Sequence, residues 1–310
     1  MTQEAVMVIG LPASGKTSHS QELIDKGYVH LNRDKIGGKI VGLLPHLDGA
    51  LKAGESVVLD NLFPTAEVRK PFIDACRKAG IPIRCIWVAT SAEDAQINAL
   101  HRMYKKHGRI FCAPEDLKGI KCPNTFPIAV IFKYKKEFEK PDKSEGFDKI
   151  EKVKFVRRSL GYKTEAVIFD YDETLRTSLH EKLKFPTKPS EVKLLPGRKV
   201  IEKLVGDRLM LGVSNQSGVA RGQLTREDAV ACFEETNRQL GVQIEYHFCD
   251  HNVPPRCYCR KPQSGLGVLL IEKHKLNPGK CIYVGDQTTD KTFAKRLGFQ
   301  YIDAEEFFKG

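Results

Sequence analysis

The chain has 310 residues, 41% of them hydrophobic and 29% charged, with 50 lysines and arginines against 39 acidic residues for a net charge of +11. These proportions exclude a disordered chain and leave room for two domains of ordinary size, each with its own core. The longest apolar runs, such as Ile128–Phe132, are far too short to span a bilayer, so no membrane association is expected.

The N-terminus runs directly into an apolar strand and has no basic leader, which predicts an intracellular address, cytoplasmic or nuclear, and no secretion. Strands are predicted at Ala5–Ile9, Val29–Leu31, Ser56–Leu59 and Ile83–Val88. Helices are predicted near Thr17–Lys26, Ala66–Lys78 and Ala92–Lys106. Val153–Val156 reads as a closing strand. A second start at Ala166–Phe169 is followed by strands at Leu209–Val213, Ile244–Phe248 and Cys281–Val284, with helices near Arg226–Leu240 and Leu266–His274. Single apolar strands alternating with helices predict parallel sheets covered on both faces. The expected fold is therefore α/β in two domains, residues 1–158 and 159–310. No internal repeat is visible.

Gly10-Leu-Pro-Ala-Ser-Gly15-Lys16-Thr17 fits the phosphate-loop pattern and lies between a strand and a helix. Gly10 and Gly15 let backbone N–H groups turn inward around a phosphate, Lys16 can reach the terminal phosphates of ATP, and Thr17 can hold Mg2+. Asp34 closes the second strand and can deprotonate an incoming hydroxyl, or else cap the helix that follows. Asp60 and Asn61 end the third strand in the same way and can contact an acceptor, a metal-bound water, or simply the strand end. Arg102, in a basic stretch with Lys105, Lys106 and Arg109, can clamp a transferring phosphoryl group or lie on a solvated helix face.

Gly27–Asp34, Val58–Asn61, the Tyr134-Lys-Lys-Glu-Phe-Glu-Lys-Pro stretch and Glu145-Gly-Phe147 together resemble the kinase domain of polynucleotide kinase/phosphatases. The resemblance implies that Lys16 and Thr17 bind ATP and metal, that Asp34 activates a nucleic-acid 5′-hydroxyl, and that Arg102 is the lid arginine. The phage member of the family has a second arginine three residues after the aspartate. Gly37 stands there in this chain, so acceptor binding must differ.

In the second half, Asp170 and Asp172 emerge together from a strand end, which suits one to attack phosphorus and the other to protonate the leaving oxygen. Ser214 and Asn215, then Lys261, then Asp286 and Asp290 follow in order, each near a strand end. Serine, asparagine and lysine suit phosphate oxygens. Asp170, Asp172, Asp286 and Asp290 offer an all-oxygen site for Mg2+. This order resembles the haloacid dehalogenase superfamily, whose sheet is a Rossmann-like parallel one. Val213–Gly222 is similar to its histidinol-phosphate and heptose-bisphosphate phosphatase branch. The stretch from Phe293 to Phe308 is similar to the 3′-phosphatase domain of polynucleotide kinase/phosphatases. One departure is Glu173, where that superfamily usually has glycine.

Nine cysteines in an intracellular chain favour reduced thiols over disulfides. Cys249, His251, Cys257 and Cys259, spaced Cys-x-His-x5-Cys-x-Cys, supply four ligands for a closed structural Zn2+ site, with free thiols as the alternative. The expected function is phosphorylation of 5′-hydroxyl ends and removal of 3′-phosphates on DNA or RNA. Two alternatives are a small-molecule kinase/phosphatase fusion acting on sugar or histidinol phosphates, and a non-catalytic nucleic-acid-binding module.

Overall fold

A computed structural model describes residues 2–180, 182–253 and 257–309. The chain divides into two compact units, Met1–Ala99 with Lys121–Arg157, and Leu100–Ile120 with Arg158–Gly310.

The first unit is built on a parallel sheet of β1 (Ala5–Ile9), β2 (Val29–Leu31), β3 (Val57–Asp60), β4 (Ile83–Ala89) and β5 (Lys149–Lys154), in the order β2-β3-β1-β4-β5. Alternation along β1 explains why it is central. Ala5, Met7 and Ile9 face one buried cluster with Leu59, Phe63 and Phe72, while Val6 and Val8 face another with Val58, Ile86 and Val88. A strand apolar on both faces must be covered on both.

The closing strand begins four residues and ends two residues earlier than expected, at Lys149–Lys154 instead of Val153–Val156, and Val156 is exposed. The strand sits at the sheet edge, where Ile150 and Val153 pack inward among lysines. Its charged composition disguised it in the sequence.

The strands of the second unit are β6 (Ala166–Phe169), β7 (Arg176–Ser178), β8 (Val192–Leu194), β9 (Leu209–Asn215), β10 (Glu245–Cys249), β11 (Ile282–Gly285) and β12 (Gln300–Asp303). They form a parallel sheet in the order β10-β9-β6-β11-β12 and a two-stranded antiparallel ribbon, β7 with β8. Helix Arg226–Leu240 matches its predicted span because both ends are marked. Thr225 and Asp228 exchange capping hydrogen bonds at its start, and Gly241 closes it with a left-handed φ of 75°. Its Phe233 packs edge-on against Tyr171, centroids 4.5 Å apart, beneath the loop that follows β6.

Leu100–Ile120, assigned by sequence to the first domain, packs within the second unit. His101 Nδ1 lies 2.6 Å from Glu272, and the Tyr258 amide donates to the Cys112 carbonyl at 2.8 Å.

Candidate active sites

In the first unit the phosphate loop follows the central strand, and its shape depends on close backbone approach. A Cβ at Gly10 would stand 2.7 Å from the Val88 carbonyl oxygen, so no side chain fits there. Gly15 caps helix Lys16–Ile24 at φ 96°. Two side chains from outside the motif hold the loop: Thr90 Oγ1 donates to the Ser14 carbonyl at 2.8 Å, and Asn98 Nδ2 to that of Ala13 at 3.0 Å. Lys16 Nζ donates to the carbonyls of Gly10 and Leu11, at 3.0 and 2.9 Å. The ammonium is thus curled over the mouth of the loop, and Thr17 beside it is exposed.

Asp34 lies beyond the end of β2, on the same sheet edge. Of its two sequence readings, the helix cap is overturned. Asn32 caps helix Arg33–Ile36, its Oδ1 accepting from the Asp34 amide at 2.8 Å. The Asp34 carboxylate is half-exposed, with Arg33 2.8 Å away. Asp60 and Asn61 are buried. Asn61 ties two strand ends together, accepting from the Arg33 amide at 2.8 Å and donating to the Leu31 carbonyl at 3.1 Å. Arg102 is exposed on helix Ala92–His107, within Leu100–Ile120.

The Tyr134–Pro141 and Glu145–Phe147 stretches, which had no catalytic reading, have a structural one. Arg69 is fully buried and held by both oxygens of Glu145, at 2.6 and 2.7 Å, and by the Phe63 and Glu139 carbonyls, each at 3.1 Å. The Glu139 side chain accepts from the Ala66 amide at 2.7 Å, at the start of helix Ala66–Lys78.

In the second unit, Asp170 leaves β6 with its amide donating to the Val284 carbonyl at 2.9 Å. Asp170, Asp286 and Asp290 bring carboxylate oxygens within 4.8 Å of one another. Gly285 makes this possible, since a Cβ there would sit 2.7 Å from the Asp290 carboxylate. Lys261 Nζ is 3.0 Å from Asp170 and 2.7 Å from Asp290, and also donates to the Val213 carbonyl at 2.9 Å and Tyr283 Oη at 2.8 Å. Burial pushes the Asp170 carboxyl up to about 7 against the pull of the Lys261 ammonium. Burial, and then Asp290, raises Asp286.

Three carboxylates against one ammonium leave an excess of negative charge in a largely buried place, which fits a hard oxygen-seeking dication such as Mg2+. Asp172 does not join that cluster. Its Oδ1 accepts from Arg176 Nε at 2.8 Å and its Oδ2 from Gln216 Nε2 at 2.6 Å. Ser214 is buried and accepts from Gln216 at 3.1 Å. Asn215 exchanges hydrogen bonds with the Lys261 backbone, at 2.9 and 3.2 Å, so it orients the lysine.

Glu173 takes φ 61°, the left-handed conformation that favours glycine, and accepts from Thr177 Oγ1 at 2.7 Å.

Cys249, His251, Cys257 and Cys259 converge, their ligand atoms all within 4.8 Å of one another. Cys249 Sγ lies 3.5 Å from His251 Nδ1 and 3.7 Å from Cys257 Sγ, and Cys259 Sγ lies 3.2 Å from His251 Nδ1. Tetrahedral Zn2+ places neighbouring sulfur and nitrogen ligands about 3.5–3.8 Å apart, so the donor set and spacing fit. Pro254, Pro255 and Arg256, between the ligands, lie outside the described residues.

Residues 6–115 match the family described as AAA domain, and residues 165–308 match the family described as polynucleotide kinase 3 phosphatase. The two matches fall one in each half of the chain, and neither spans half of it. The bifunctional polynucleotide phosphatase/kinase of Schizosaccharomyces pombe is 33% identical over 154 residues, 49% of this chain and 34% of that protein. The chain thus spans about a third of the length of this relative. The D-glycero-beta-D-manno-heptose-1,7-bisphosphate 7-phosphatase of Haemophilus influenzae is 33% identical over 98 residues, 28% of this chain and 53% of that one. A solved structure of a Pnkp1/Rnl/Hen1 RNA repair complex overlaps 97% of this chain and 96% of its own at 14% identity, with a TM-score of 0.32.

Sequence reasoning missed several parts of both units. In the first these are Thr90 and Asn98, which brace the phosphate loop from distant positions. In the second they are Arg176, Gln216 and Tyr283, around Asp172 and Lys261. A clue was available for Gln216, which lies inside the Ser-Asn-Gln-Ser-Gly stretch. Arg176, Thr90 and Asn98 carried none, because their partners are set by tertiary contact.

Proposed function

We propose that this chain is a bifunctional nucleic-acid end-processing enzyme, phosphorylating 5′-hydroxyl ends with ATP and removing 3′-phosphates. The observation that carries the reading is that one chain has a phosphate loop beside Lys16 and a cluster of Asp170, Asp286, Asp290 and Lys261, each at the C-terminal edge of a parallel sheet. The names of the matched family and of the fission-yeast relative point to polynucleotide ends as substrate. The net charge of +11 suits a polyanion.

At the kinase site, Lys16 leaves the Gly10 and Leu11 carbonyls for the terminal phosphates of ATP. Asp34 takes the proton of the 5′-hydroxyl as the hydroxyl oxygen attacks the γ-phosphorus, and the bond from the γ-phosphorus to the β,γ-bridging oxygen breaks, releasing ADP. Thr17 would hold Mg2+, and Asp60 and Asn61 shape the acceptor side.

At the phosphatase site, an Asp170 oxygen attacks phosphorus. The bond to the 3′-oxygen breaks, and Asp172 gives that oxygen its proton. Water then attacks the phosphorus of the aspartyl-phosphate and returns a proton to Asp172, releasing phosphate and regenerating Asp170. Lys261 and Ser214 hold the phosphoryl oxygens. Mg2+ held by Asp170, Asp286 and Asp290 would neutralise charge on the phosphoryl oxygens. Cys249, His251, Cys257 and Cys259 would hold Zn2+ with four ligands, which would leave it a structural part and no chemical one. Among the described residues no helix is long and apolar enough to cross a membrane, and an intracellular site of action agrees with the substrate.

The deciding experiment incubates the chain with ATP and a 5′-hydroxyl oligonucleotide, and separately with a 3′-phosphate oligonucleotide, in matched DNA and RNA forms. Transfer of label from γ-phosphate and release of inorganic phosphate are expected. Absence of both would end the reading. The zinc-ligand loop and the Haemophilus relative favour a second reading, a phosphatase for small sugar phosphates. A preference for heptose bisphosphate over the 3′-phosphate oligonucleotide would establish it instead.

A further inference from the structure

Arg176 is a large, charged side chain with about 1% of its surface exposed, and the mechanism above gives it no part. Burying a guanidinium is costly unless its charge and donors are met. They are met here in a particular way. Nε donates to Asp172 Oδ1 at 2.8 Å and Nη1 to Thr236 Oγ1 at 3.0 Å, and the group lies 4.6 Å from the centre of the Phe233 ring. Thr236 is itself fixed, donating to the Cys232 carbonyl at 2.7 Å. The guanidinium therefore has little freedom to rotate. The other Asp172 oxygen accepts from the Gln216 side chain, and the Gln216 backbone N–H donates to the Cys249 carbonyl at 2.7 Å.

We propose that Arg176 and Gln216 are positioning residues that clamp the two oxygens of Asp172, so that its carboxyl group is aimed at the leaving oxygen when the phosphoryl group moves to Asp170. Each oxygen of Asp172 has one donor from a rigid neighbour, which fixes the plane of the carboxyl group as well as its place. Neither residue touches the phosphoryl group. The backbone prepares the same arrangement: the Arg176 and Leu175 amides both donate to the Tyr171 carbonyl, at 3.0 and 2.9 Å, folding 171–176 into a turn that sets Asp172 and Arg176 side by side.

The inference rests on Asp172 acting as the acid, and the test separates the two. Arg176→Met, Gln216→Met and Asp172→Asn are compared with the unsubstituted chain on two substrates, a 3′-phosphate oligonucleotide and 2,4-dinitrophenyl phosphate. The alkoxide leaving from the first needs a proton, whereas dinitrophenolate leaves without one. General acid catalysis is worth about a hundredfold or more, so kcat/KM for the oligonucleotide should fall by about that factor in all three variants. For the aryl phosphate it should fall only a few-fold.

Thermal melts of each variant check that the fold survives. Gln216→Met keeps the charge balance and guards against Arg176→Met failing to fold. If both positioning variants lose the same factor on the two substrates, or lose nothing, while Asp172→Asn loses selectively, the clamp is refuted. If Asp172→Asn shows no selectivity, the acid assignment falls and the clamp with it. An unsubstituted chain that hydrolyses neither substrate would instead refute the phosphatase reading.

Discussion

The Lys261 ammonium stands 2.7 Å from an Asp290 oxygen, and both side chains are closed off from solvent. The same nitrogen reaches Asp170 at 3.0 Å, so one buried cation balances part of the charge of a buried acidic cluster. Lys261→Met would leave those carboxylates without it. Removing one partner of a buried pair costs about 3–5 kcal/mol, and a loss of that order is expected in urea unfolding without divalent cations. Added Mg2+ should recover part of it, and 3′-phosphate hydrolysis should be abolished.

Arg69 and Glu145 make the corresponding pair in the first unit, with two parallel hydrogen bonds at 2.6 and 2.7 Å. Arg69→Met strands Glu145 and the Phe63 and Glu139 carbonyls, and an unfolding free energy lower by about 3–5 kcal/mol is expected. Arg69→Lys, which keeps the charge without the fork, should recover less than half of it, as read by the shift in denaturant midpoint.

Lys16 and Asp34 should separate binding from chemistry. Lys16→Met is expected to weaken ATP binding in calorimetry and to abolish transfer. Asp34→Asn should bind ATP as the unsubstituted chain does, yet transfer phosphate to a 5′-hydroxyl oligonucleotide at least about a hundredfold more slowly. Equal transfer rates in Asp34→Asn and the unsubstituted chain would dismiss the base assignment.

Metal analysis should find one zinc per chain, lost in Cys257→Ser. Chelation is expected to lower the melting temperature, because binding to a site formed only on folding adds to stability. Chelated protein that melts as before would mean the four side chains hold no metal.

Glu173→Gly exchanges two effects of similar size. Relief of the left-handed backbone is worth about 1 kcal/mol, and loss of the 2.7 Å bond from Thr177 costs about the same. Stability within about 1 kcal/mol of the unsubstituted chain is expected, whereas Glu173→Val should be clearly destabilised.

Much of this molecule is legible along the chain because the features concerned are local. The apolar alternation of β1, the loop from Gly10 to Thr17, the Thr225 cap and the close spacing of Asp170 with Asp172 each involve residues a few positions apart. Backbone geometry alone then puts them at strand ends and helix starts. The four zinc-ligand candidates likewise lie within eleven positions, Cys249 to Cys259.

Only the folded chain decides the rest. Asn32 rather than Asp34 caps its helix, Leu100–Ile120 packs with the second unit, Glu145 neutralises Arg69 from 76 positions away, and Asp172 is gripped by Arg176 and Gln216 rather than joining the acidic cluster. For the buried pairs, Arg69 with Glu145 and Arg176 with Asp172, the physical reason is the same. A polar group taken out of water must find a partner in whatever surrounds it, and those surroundings are assembled by strand order and helix packing, which no short stretch of residues encodes.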